Sequence, residues 1–225
     1  MSVETKRRPT PTAPNAAELA RLEDWPAERV VRWVADRLTP ARLACSFAGE
    51  SAVLVDLVAR VAPEISLFTL DTGRLPEETY DLIDEVRRRY GVEVEVVLPR
   101  NDLVQRLVSQ KGMFSFRESV ENRLECCEVR KVEPLTRALR GASAWLTGLR
   151  REHSPERAAT PVAAWDGVHG LFKVNPLAYW NTEQVWDYIR SRDVPYNRLY
   201  DQGYTSIGCA PCTRPTTAGE HPRAG

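Results

Sequence analysis

The chain has 225 residues, of which 43% are hydrophobic and 28% are charged, and its formal net charge is zero. This length is sufficient for one domain with a substantial core. The balanced charge provides no general attraction to nucleic acid. No apolar run approaches the ~20 residues of a membrane-spanning helix, and the N-terminus lacks the apolar segment of a secretion signal. We therefore expect a cytoplasmic protein.

The apolar pattern predicts an α/β fold. Residues 1–15 are rich in Pro, Thr and basic residues and are expected to form a disordered tail. Residues 16–215 are expected to form a single domain, in which strands alternate with helices. Strands are predicted at 42–47, 65–70, 92–98, 144–147 and, as an edge strand, 171–176; helices are predicted at 16–38, 51–61, 77–90, 102–109, 129–139 and from 181. Asn181 is the expected cap of the last helix, because Gln184 is placed to reach back to it. This alternation indicates a mostly parallel sheet flanked by helices.

Four of the five cysteines form two close pairs, Cys126 with Cys127 and Cys209 with Cys212. In a chain without an export signal, such pairs favour metal binding or redox chemistry over structural disulfides. Vicinal cysteines can ligate two irons of a cubane cluster, whereas zinc usually takes two spaced pairs. On these residues alone, an iron–sulfur cluster, a zinc ion and a redox dithiol remain open. Cys45 is expected to be a small buried residue.

Three polar loops that contain glycine follow predicted strands, at residues 46–51, 71–73 and 148–157. The carboxyl ends of parallel strands share one edge of the sheet, where ligands bind. The first loop can bind an anion at a helix N-terminus, or simply cap that helix. The second can contact a ribose or base, or cap the next helix. The arginines of the third suit phosphate or sulfate, or a solvated basic loop. Together the loops favour a nucleotide site.

The motifs resemble those of assimilatory adenylyl-sulfate reductases, the iron–sulfur branch of the APS/PAPS reductase family. Five of them occur in the family's order: Ser46–Ser51, Leu70–Gly73, Cys126-Cys127, Gly148–Arg151 and Ser206–Pro215. The resemblance implies an adenine-nucleotide α-hydrolase-like fold and a [4Fe–4S] cluster. It also implies reduction of adenosine 5′-phosphosulfate (APS) to sulfite and AMP by thioredoxin or glutaredoxin. The alternatives are the 3′-phosphorylated substrate PAPS, an ATP-using enzyme of the same superfamily, and a non-catalytic iron–sulfur nucleotide sensor.

The same resemblance assigns roles to particular residues. It implies that the cluster is ligated by Cys126, Cys127, Cys209 and Cys212. The residues that it implies for substrate binding are Ser46, Phe47, Gly49, Glu50, Ser51, Asp71, Thr72, Gly73, Lys131, Gly148, Arg150, Arg157 and Arg223. Lys131 follows Cys127 by four residues, so it is expected one helical turn further on, between cluster and substrate, where it acts electrostatically.

The sequence departs from the family at its end. The family's nucleophile lies in a Cys-Gly-x-His tail, whereas this sequence ends at Ala224-Gly225. We therefore expect residues 216–225 to be a mobile linker to a catalytic tail outside this chain. A Cys S-sulfonate would form on that tail. As written, the chain is expected to bind cluster and nucleotide without turnover. The sequence does not reveal the oligomeric state, and a homo-oligomer stays open.

Overall fold

A six-stranded sheet organises the protein. The computed structural model describes residues 13–217, 219–221 and 224–225. In this part of the chain the strand order is β3-β2-β1-β4-β6-β5, and only the β5–β6 pair is antiparallel. The strands are β1 (Ala41–Ala44), β2 (Ser66–Leu70), β3 (Val94–Val97), β4 (Ala144–Leu146), β5 (Ala163–Asp166) and β6 (Leu171–Val174). The predicted α/β fold with a mostly parallel sheet is confirmed.

Eight α-helices accompany the sheet in the described part of the chain. They are α1 (Ala16–Arg21), α2 (Ala27–Arg37), α3 (Gly49–Val61), α4 (Glu77–Tyr90), α5 (Asn101–Lys111), α6 (Val120–Cys127), α7 (Glu133–Ala138) and α8 (Thr182–Ser191). Reciprocal capping boxes begin α1 at Asn15 and α8 at Asn181, the second as the sequence predicts. Residues 1–12 of the expected tail lie outside the described residues. No described helix is both long and apolar enough to cross a bilayer.

The two faces of the sheet are covered unequally. The larger core lies on one face and includes Val30 of α2, Val53 of α3, Leu82 of α4 and Val185 of α8. A smaller apolar cluster on the opposite face joins Phe68, Val97, Leu139, Trp145 and Leu171. Because α3 is buried along most of its length, its N-terminal end is held firmly at the edge where β1 ends.

Two local predictions are wrong. The strand at 171–176 is not an edge strand, because β5 pairs with its outer side. β5 was not predicted, because Ala163–Asp166 is short and its two alanines obscure the alternation of apolar and polar residues that indicates a strand. The helix predicted at 129–139 begins earlier, at Val120, and it contains a π-helical segment, Glu128–Val132, between α6 and α7.

Candidate active site

The carboxyl ends of the central strands open onto a cavity of about 890 Å³. Its wall includes Ser46, Gly49 and Glu50 from the first predicted loop and Gly148, Arg150, Arg157 from the third. A smaller recess of about 190 Å³ beside it is lined by Ser46, Thr72, Lys131 and Cys209, among others. The structure therefore brings the three predicted loops to one edge of the sheet, next to a cysteine of the second pair.

The loop after β1 presents backbone groups rather than side chains. Phe47 is buried and has φ +57°, a left-handed conformation that is uncommon for a residue with a side chain. The Gly49 N–H donates to the hydroxyl of Tyr200 over 2.9 Å. Among the residues that the structure describes, no side chain caps the N-terminus of α3, which is 13 residues long. Backbone donors and the helix dipole at this position suit an anion.

Glu50 joins the first loop to the third. Its carboxylate accepts from Arg150 Nε over 2.8 Å and lies 2.9 Å from His153 Nε2. Burial opposes ionisation, but the hydrogen bond with His153 and the charge of Arg150 outweigh it and lower the pKa of Glu50 to about 2. The side chain thus faces the arginine loop. Its predicted contact with substrate stays a prediction.

The arginines of the third loop differ in their partners. Arg150 is only 5% exposed and contacts Glu50, Glu152, the Trp180 carbonyl oxygen and the Thr182 hydroxyl. Every guanidinium nitrogen is thereby engaged within the protein. Arg157, in contrast, has its guanidinium 3.5 Å from His153 Nδ1 and forms no ion pair among the described residues. Arg157 is therefore better placed than Arg150 to receive an anion from the cavity.

Gly148 allows these loops to approach closely. A Cβ atom at this position would lie 2.7 Å from Glu50 Cβ, closer than non-bonded carbon atoms tolerate. The backbone at Glu50 and Ser51 is also within van der Waals distance of that point. Glycine is thus required by the contact between the β4 loop and the start of α3.

The loop after β2 is held in place by hydrogen bonds to the carboxylate of Asp71. Asp71 Oδ1 accepts from the Gly73 N–H over 2.8 Å and from the Tyr80 hydroxyl over 2.9 Å. Gly73 has φ +69°, which favours glycine. Thr72 is 1% exposed; its carbonyl accepts from Arg130 Nη1 over 2.6 Å, and its Oγ1 lies 3.2 Å from Cys209 Sγ. This loop therefore contacts the cysteine region directly.

The vicinal cysteines end α6, and the π-helical segment follows them at once. Lys131 lies within that segment, four residues after Cys127. A π-helix closes its hydrogen bonds over five residues instead of four, so its turn is wider and four residues span just under one turn. Lys131 lines the small recess together with Cys209 and Ser46. Its expected position between cluster and substrate stays a prediction.

Thiols from both pairs are close enough to influence one another. Burial raises the pKa of Cys126, with opposing effects from Arg130 and Arg74 and smaller contributions from Cys127 and Cys209. The second pair is anchored by hydrogen bonds from Ala210 N to the Arg74 carbonyl, over 2.8 Å, and from Cys212 N to the Cys209 carbonyl, over 2.9 Å. All five cysteines have free thiols.

The two close cysteine pairs together provide four free thiols. No group of three or more His, Cys, Asp or Glu side chains in the described residues is arranged to hold one metal ion. A [4Fe–4S] cluster takes four thiolate ligands. The thiols of Cys126, Cys127, Cys209 and Cys212 match that ligand set in number and kind.

Several cavity residues were missed from sequence. Trp145, Lys173, Trp186, Tyr196 and Tyr200 all line the large cavity. Lys173 could have been found, because it interrupts an apolar strand. Tyr200 carries no local signal, since its contact with Gly49 spans most of the chain. The predicted substrate residue Arg223 lies outside the described residues.

The comparisons with known proteins identify the family. The model of the phosphoadenosine phosphosulfate reductase domain matches residues 40–215. The chain belongs to this reductase family. A relative from Allochromatium vinosum, named adenosine 5′-phosphosulfate reductase, is 52% identical over 182 residues, which are 81% of this chain and 71% of that protein.

Solved structures agree with the fold of this reductase family. The phosphoadenylyl-sulfate (PAPS) reductase of Candida auris, crystallised with phosphate, aligns with a TM-score of 0.77 at 27% identity and covers 91% of this chain and 100% of its own. The FMN adenylyltransferase of Candida glabrata, at 15% identity, aligns with a TM-score of 0.59 over 93% of this chain and 73% of its own. The expected adenine-nucleotide α-hydrolase-like fold is confirmed.

Proposed function

We propose that this protein reduces APS to sulfite and AMP in sulfate assimilation, with thioredoxin or glutaredoxin as the thiol donor. One observation supports the proposal: the cavity at the sheet edge adjoins a recess that is lined by Lys131 and by Cys209 of the second thiol pair. The relative named adenosine 5′-phosphosulfate reductase supports the choice of substrate. PAPS is the alternative substrate, in view of the Candida auris structure.

The two halves of the substrate are assigned to different parts of the cavity. The adenosine is proposed to lie near Thr72, Gly73 and Gly148, in the loops that follow β2 and β4 on either side of β1. The phosphosulfate is proposed to lie against the N-terminus of α3, with Lys131 and Arg157 as its cationic neighbours. Lys131 lines the recess that contains Cys209, so its ammonium can neutralise charge between the thiols and the sulfate.

Cys126, Cys127, Cys209 and Cys212 are proposed to hold a [4Fe–4S] cluster. When bound, the cluster supplies a concentrated charge beside the substrate, and we assign it no electron-transfer step. Thr72 Oγ1 is placed to hydrogen-bond to the sulfur of Cys209 and to orient that ligand.

The chemistry proposed is nucleophilic. A cysteine thiolate from outside these 225 residues attacks the sulfur of APS; the bond to the phosphate oxygen breaks, and AMP leaves with the electron pair. A thioredoxin thiolate then attacks the resulting Cys S-sulfonate and expels sulfite, so two thiols are oxidised to a disulfide while sulfate is reduced to sulfite. Cys45 is not the nucleophile in this proposal, because burial raises its pKa to about 12 and keeps it protonated.

Titration calorimetry of anaerobically purified protein with APS, PAPS and ATP tests the proposal. APS is expected to bind at least about tenfold more tightly than PAPS, since the relative that supports the assignment is named adenosine 5′-phosphosulfate reductase. A preference for PAPS would reassign the substrate within the family. ATP binding accompanied by pyrophosphate release would contradict the proposal and favour an adenylating enzyme.

Iron content tests the cluster assignment. Wild-type protein is expected to be brown, with about four irons per chain. Serine substitutions at Cys126, Cys127, Cys209 and Cys212, each made singly, are expected to lose most of that iron and its visible absorption. Cys45→Ala is the matched control and is expected to retain both. Colourless protein with one zinc, or iron loss in Cys45→Ala alone, would contradict the assignment.

A further inference from the structure

Lys173 places a charge inside the sheet. It lies on β6, in register with Trp145 of β4 and Ala164 of β5, and it is half-buried. Its strand neighbours Phe172 and Val174 belong to the main core on the opposite face. Interior strands of such sheets are normally apolar throughout, because burying an ammonium costs free energy. The fold alone therefore gives no reason for lysine at this position.

The positive charge of Lys173 is compensated only weakly by the side chains around it. The ammonium lies 4.9 Å from the centroid of the Trp145 ring, a cation–π contact. It forms no ion pair among the described residues. Burial lowers the pKa of Lys173; Asp166 opposes this effect from a distance, whereas Arg157 adds to it. A cation that is half-buried, close to an arginine and without a paired carboxylate is one that a bound anion would stabilise.

Lys173 and Arg157 line the same cavity as Ser46 and Gly148. Arg150 also lines it but is neutralised by Glu50 and Glu152. The wall thus contains two cations, Lys173 and Arg157, that have no carboxylate partner in the described part of the chain. Their mutual repulsion would be relieved by an anion bound between them.

We propose that Lys173, held over the Trp145 ring and acting with Arg157, binds an anionic oxygen of the substrate's phosphosulfate group. The inference rests on the proposed function, because it takes APS as the ligand. It adds a residue from β6, so the anion site extends across β4 from the loop after β1 to the next strand. Trp145 acts as a positioning residue that fixes the direction of the ammonium.

Calorimetric titration of APS into three anaerobically purified variants tests this inference. Lys173→Met keeps the length of the side chain and removes its charge, and it is expected to weaken APS binding by about tenfold or more. Lys173→Arg is expected to restore most of the affinity, because it keeps the charge. Lys111→Met is the matched control: Lys111 is on α5, pairs with Glu125 and does not line the cavity. It is expected to bind APS like wild type.

Thermal unfolding without ligand separates a binding role from a structural one. Lys173→Met is expected to unfold at a higher temperature than wild type, because the buried charge is removed. A lower unfolding temperature together with weaker binding would show a structural role and overturn the inference. Wild-type affinity in Lys173→Met, or equal losses in Lys173→Met and Lys173→Arg, would also overturn it. If wild type itself fails to bind APS, the proposed function fails instead.

Discussion

Glu50→Gln is expected to lower the free energy of unfolding by about 2–3 kcal/mol at pH 7, because Arg150 and His153 lose the carboxylate that they share. The Arg150 side chain is only 6% exposed, so its charge is poorly solvated once Glu50 is neutral. Glu152 remains as its second partner, which keeps the loss below that of a fully unpaired buried charge. Urea unfolding of the anaerobic protein measures the effect.

The dependence on pH gives a second readout of the same variant. The pKa of Glu50 is lowered from its usual 4.5 to about 2 in the folded protein. Its contribution to stability is therefore complete above about pH 4.5 and is lost as the pH falls towards 2. The difference in stability between wild type and Glu50→Gln should shrink as the pH falls from about 4.5 towards 2. A difference that grows over this range would contradict this account.

Glu152→Gln is the comparison variant, since Glu152 also pairs with Arg150 but its side chain is 50% exposed. It is expected to cost less than about 1 kcal/mol, because solvent already screens that pair. Glu50→Gln should in addition weaken APS binding by about tenfold, since the loop that carries Arg157 loses its link to α3. Equal effects of the two substitutions would argue against a special role for Glu50.

Gly148→Ala is expected to lower both stability and affinity for APS. The new methyl group would meet Glu50 Cβ at 2.7 Å, so either the β4 loop or the first turn of α3 must move. Overpacking of this kind costs about 1–3 kcal/mol. Because the displaced groups line the cavity, APS should bind about tenfold or more weakly. Calorimetry and urea unfolding measure the two effects.

Gly167→Ala is the matched control for this substitution. Gly167 lies in the turn between β5 and β6, and a Cβ atom there would meet nothing within 4 Å. Its stability and APS affinity are expected to equal those of wild type. If Gly148→Ala behaves like Gly167→Ala, the close approach of the two loops is not what forms the site.

The periodicity of apolar residues was sufficient to predict the helices and strands that bury one regular face. Glu77–Tyr90 was predicted with its exact bounds, because an amphipathic pattern is followed by Gly91. Asn181 was predicted as a helix cap because Gln184 stands at the reciprocal position. β5 was missed because two alanines leave no contrast between its faces. The π-helical segment was missed because its composition is that of an ordinary helix.

Only those parts of the site that lie in local sequence motifs could be predicted. Loops 46–51, 71–73 and 148–157 could be placed at one edge because parallel strands end together. The partners of each side chain could not be predicted, since they depend on distant segments. Arg150 looks like a free cation in the sequence, yet Glu50, a hundred residues away, neutralises it. The Tyr200 hydroxyl accepts a hydrogen bond from the Gly49 N–H, and it comes from a segment without any recognisable motif.

The π-helical segment Glu128–Val132 gives the helix of the vicinal cysteines room for one change in length. A π-helical turn closes its hydrogen bond over five residues instead of four, so it takes up one residue more than an α-helical turn does. Deleting one residue between Cys127 and Glu133 is therefore expected to return this segment to α-helical winding, with α6 and α7 keeping their relative direction. Adding one residue has no such compensation and would turn the two thiols by about 100° relative to α7. The direction of the thiols thus tolerates a deletion here but is sensitive to an insertion.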